Sequence, residues 1–66
     1  MNSVLLDAER LRLAEIVRNA CALVALEHFE QAREDGLCME GAWEAAIGAL
    51  RTLDLAPIVQ IAPVSE

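Results

Sequence analysis

The sequence predicts an all-α protein: a long helix, a turn and a shorter helix, pairing with a second copy as an antiparallel four-helix bundle. Three observations predict it. No glycine or proline interrupts residues 4–34. Apolar residues on both sides of Gly36 recur at the three-and-four spacing of helices. A chain of 66 residues has too little material to surround a helix that is apolar nearly all round, so a partner chain is implied.

The first helix is expected from about Val4 to Glu34, with Ser3 as its N-cap and Asp7 and Glu9 toward the positive end of its dipole. Its centre, Ala20 to Leu26, carries no polar side chain beyond the Cys21 thiol. Leu6, Leu13, Ile16, Val17, Ala20, Leu23 and Val24 form one stripe and are the expected dimer interface. A second strip, Leu11, Ala14, Ala22, Ala25, Phe29 and Ala32, consists mostly of small residues. Between them Arg12, Glu15, Asn19, Glu30 and Arg33 leave a narrow polar face.

Asp35-Gly36-Leu37 reads as the reversal, with Gly36 left-handed and Leu37 folding back toward Ala32. The second helix is expected from about Met39 to Asp54. Met39, Ala42, Trp43, Ala46, Ile47, Leu50 and Leu53 share its apolar face, which makes Trp43 a core anchor near Phe29. Gly48 costs about 1 kcal/mol against alanine in a helix interior; with Ala45 and Ala49 it suggests a close helix crossing. This helix reaches only about halfway back along the first. A second copy, antiparallel with its two-fold near Arg18 and Asn19, would cover the rest.

Pro57 then argues against further helix and biases Ala56 toward extended geometry. The expected organisation is a helical hairpin over residues 1–55 and an extended, Pro-flanked tail over 56–66. That tail is apolar and β-branched, so it either lies across its own dimer or docks on a partner through Ile58, Val59, Ile61 and Val64.

Eleven acidic residues against five arginines and no lysine give a net charge of −6, which repels phosphate backbones and argues against direct nucleic-acid binding. No stretch reaches the roughly 20 apolar residues of a membrane span, and no signal peptide is evident near the N-terminus. Cys21 and Cys38 are expected to be reduced thiols in a cytoplasmic protein. Abundant Ala, Leu, Glu and Arg suggest a bacterial or phage gene.

Phosphate-loop, nucleophile-elbow and zinc-protease motifs are absent from the sequence. Glu27, His28 and Glu34 are the only metal-ligand candidates worth naming. Glu27 and His28 are adjacent and diverge by about 100° on a helix, so no metal and no cofactor are expected. Glu27 is instead expected to meet Arg10 across the dimer, and His28 to sit half covered by the second helix. Cys21, His28 and Cys38 match no compact zinc spacing and lack a fourth ligand. The expectation is a small, non-enzymatic interaction or regulatory module, a homodimer or possible tetramer that binds and modulates a protein partner. Two alternatives are a metal- or ligand-binding bundle serving as an accessory subunit of an enzyme, and an acidic inhibitor that mimics nucleic acid.

Overall fold

The computed structural model describes residues 3–61, with side chains from Asp7 to Gln60. Its elements are α1 (Ser3–Glu34), α2 (Met39–Arg51) and α3 (Ala56–Ile61), and there is no strand among the described residues. The all-helical class and the long-then-short order are as expected. The third helix is not.

α1 has no acidic residue in its first turn. Asp7 and Glu9 therefore lie too far in to gain much from the dipole, whose effect fades within one turn. At its other end Gly36 adopts φ 94°. Its N–H donates to the Arg33 carbonyl and that of Leu37 to the Ala32 carbonyl, each at 3.0 Å, the two bonds of a Schellman ending. Leu37 leans onto the start of α2, where a Cβ added at Gly41 would stand 3.5 Å from Leu37 Cδ2. Replacing Gly36 with alanine should cost about 1–2 kcal/mol, the penalty of a left-handed non-glycine residue, and lower the melting temperature by several degrees in a circular-dichroism melt.

Cys38 caps α2, its Sγ accepting the Gly41 N–H at 3.4 Å. The helix stops at Arg51, three residues short of the expected Asp54, with Thr52 as its exposed C-terminal cap. The Thr52 hydroxyl donates to the Gly48 carbonyl at 3.0 Å while its N–H takes the same oxygen at 3.2 Å. Side-chain bonding of this kind competes with the next helical turn.

The expected extended tail is corrected over Ala56–Ile61, which is helical. Asp54 Oδ1 accepts the Ala56 N–H at 3.1 Å, and the Leu55 carbonyl accepts the Val59 N–H at 2.9 Å. Pro57 is thereby the second residue of a capped helix, where a missing N–H costs nothing because first-turn N–H groups have no intrahelical acceptor. Val64, expected in the tail, lies outside the described residues.

The chain divides into two compact units. One joins α1 up to Ala20 with the segment from Asp54 through α3. The chain's own C-terminal segment therefore joins the half of α1 that was expected to be left uncovered. Leu13, Ile16, Val17, Ala20 and Ile58 are half-buried there, while Leu11, Leu55 and Val59 stay exposed. The other unit, Cys21–Leu53, is a helical hairpin whose buried side chains are Ala32, Ala42 and Ala46.

That alanine set explains a second correction. The apolar face of α2 spans a wide arc, and the line that meets α1 runs through Ala42 and Ala46. Small side chains let the two helices approach closely, and the larger residues on either side are left at the edges. Trp43 is consequently 60% exposed and Met39 63% exposed, so Trp43 is no core anchor within this chain. Gly48 is exposed too, with nothing within 4 Å of an added Cβ; among the described residues, no helix crosses against it.

Candidate functional site

An open concave surface follows from that packing. Ala25, Leu26 and Phe29 on α1 and Met39, Glu40, Trp43 and Ala46 on α2 line an open groove of about 680 Å³ within the hairpin unit. Trp43 and Phe29 do share this site, as their spacing predicted, but as walls of a groove. Glu40 is its one charged lining residue. Small-molecule sites of this volume place several polar groups to fix orientation. A groove walled by Leu, Phe, Met and Trp between two helices instead has the form that receives an apolar helix face. Full burial of each large apolar side chain is worth roughly 1.5–3 kcal/mol, and Leu26, Met39 and Trp43 each keep more than half of their surface in water.

A second depression, of about 530 Å³, lies on the adjoining face of α2 between Trp43, Glu44, Ile47, Gly48 and Arg51. Trp43 borders both. A third and smaller one, of about 240 Å³, is lined by Glu27, His28 and Gln31.

No protein-family model, characterised protein or solved structure matches this chain.

Of the expected ligand candidates, Glu27 and His28 border one depression and Glu34 stands apart from it. His28 is exposed rather than half covered by α2, and its Nδ1–H donates to the Val24 carbonyl at 2.9 Å. Gln31 Nε2 turns away to Asp35 Oδ1 at 3.1 Å. Glu34 does not line the depression beside Glu27 and His28. Among the described residues, no group of three or more His, Cys, Asp or Glu side chains is placed to hold a metal ion. Cys21 is half-buried and Cys38 exposed, both as free thiols.

Of the expected dimer stripe, Leu13, Ile16, Val17, Ala20 and Val24 are half-buried, Leu23 is exposed, and the Leu6 side chain lies outside the described ones. Of the expected partner-binding residues, Ile58 is half-buried and Val59 exposed on α3; Ile61 closes α3, its side chain not among those described. Arg10 stands 4.0 Å from Asp7 of its own chain, both largely exposed, a pair worth at most about 1 kcal/mol. No described helix is long and apolar enough to cross a membrane.

The groove around Leu26 and Met39 was not foreseen. The signal was in the sequence, since Ala32, Ala42 and Ala46 are the small residues that permit a close crossing and push their large neighbours outward.

Proposed function

We propose that this protein is a small non-enzymatic interaction module, working as a homodimer, that binds a helix of a protein partner in the groove beside Trp43 and thereby modulates that partner. The observation that carries this reading is the groove itself, apolar apart from Glu40 and edged by a tryptophan that the chain does not bury. Isolated exposed apolar residues mean little, but a contiguous patch of this kind marks an interaction site. The hairpin unit sets the partner's charge. Between Cys21 and Leu53 it carries Glu27, Glu30, Glu34, Asp35, Glu40 and Glu44 against Arg33 and Arg51, a net of −4. The fitting occupant is an amphipathic helix with an apolar stripe and basic flanks, steered by complementary charge.

A designed Leu/Lys amphipathic peptide is the direct probe. Trp43 is the sole tryptophan, so seating an apolar helix beside it should shift its emission to the blue, and added salt should weaken the binding. A Leu/Glu peptide of the same pattern should bind far less. Equal binding of both peptides, or no shift with either, would remove this reading of the groove.

A further inference from the structure

The second depression concerns the homodimer rather than the partner, and rests on the proposed dimeric state. Glu44 and Arg51 stand seven residues apart on α2, a separation that advances about 10.5 Å along the axis and returns within about 20° of the same direction. They border one depression with Trp43, Ile47 and Gly48. The midpoint between them falls between Ile47 and Gly48. At Gly48 a Cβ would meet nothing within 4 Å, so this glycine accommodates none of the described residues although it weakens the helix that contains it.

We propose that two copies of this chain pair through α2, crossing antiparallel at Ile47 and Gly48, with Glu44 of each copy facing Arg51 of the other. Antiparallel pairing about that midpoint brings opposite charges together twice by symmetry, as an isologous contact requires. Parallel pairing would set Glu44 against Glu44 and Arg51 against Arg51. The missing Cβ at Gly48 lets the helix axes come closer than the usual 8–10 Å or so, and Trp43 and Ile47 then lose the water beside them. The contact uses the face of α2 next to the groove, leaving the groove open for a partner's helix.

Charge exchange tests the pairing with the full chain. Glu44→Arg and Arg51→Glu each make both contacts repulsive, and each variant alone should dimerise roughly tenfold or more weakly. Mixed in equal amounts, the two variants should recover dimerisation, because every Glu–Arg contact is restored between unlike chains. The chain carrying both exchanges should dimerise as the unsubstituted one does. Gly48→Leu, whose Cβ would meet nothing within 4 Å in the single chain, should raise helix stability and yet weaken association. If the unsubstituted chain dimerises and none of these substitutions alters it, α2 is not the contact, while the dimeric state stands. If the unsubstituted chain is monomeric throughout a dilution series, the dimer itself is lost along with this contact.

Discussion

Replacing Trp43 with alanine should remove most of the chain's ability to associate and leave its helices in place. Within one chain the indole is 60% exposed, so truncating it should cost only about 1 kcal/mol of folding stability on the burial scale. At an interface the same residue is the natural hot spot. It borders both the groove and the depression on α2, and tryptophans at the centre of such surfaces contribute about 2–4 kcal/mol. Dimerisation and uptake of the Leu/Lys peptide should therefore each fall about 30- to 1,000-fold. Far-ultraviolet circular dichroism should scarcely change. A collapse of helix content, or association undiminished, would mean that Trp43 does not act as described.

Ala42→Leu should do the reverse and unfold the hairpin. Ala42 is 0% exposed, and with Ala32 and Ala46 it forms the described core. Three further carbon atoms at that point have no room unless α2 moves off α1. Overpacking typically costs about 1–3 kcal/mol, a large part of the stability of so small a domain. A thermal melt should show the transition fall sharply or disappear. The same replacement at Ala14, exposed on α1, should change little, within about 0.5 kcal/mol.

Much of this architecture was legible in the residues. The unbroken run to Glu34 and the Gly36 reversal place α1, the turn and α2 by local chemistry alone, through helix propensity and the left-handed ending. What sequence spacing left open was which line of a broad apolar face turns inward. Met39, Ala42, Trp43 and Ala46 all satisfy the same periodicity. Only the close fit of alanines against α1 decides that Ala42 and Ala46 are buried and that Trp43 and Met39 are not.

α3 was missed for a different reason. Proline was weighed as a helix breaker, whereas Asp54 two residues before Ala56 supplies the cap that makes it a helix-starting residue. Glu27 and His28, adjacent on one helix, are expected to diverge; they border one small depression that Glu34 does not line. Of the expected partner-binding residues, Ile58, Val59 and Ile61 belong to α3 rather than to an extended tail.

The proposed pairing covers apolar surface that one chain leaves in water. Its most direct test is the solution mass of the full chain over a wide dilution series, by sedimentation equilibrium with Trp43 emission read on the same samples. One chain weighs 7.2 kDa. Twice that mass is expected at high concentration, falling toward one chain on dilution as the emission moves to the red. A mass of 7.2 kDa at every concentration, with unchanging emission, would contradict it.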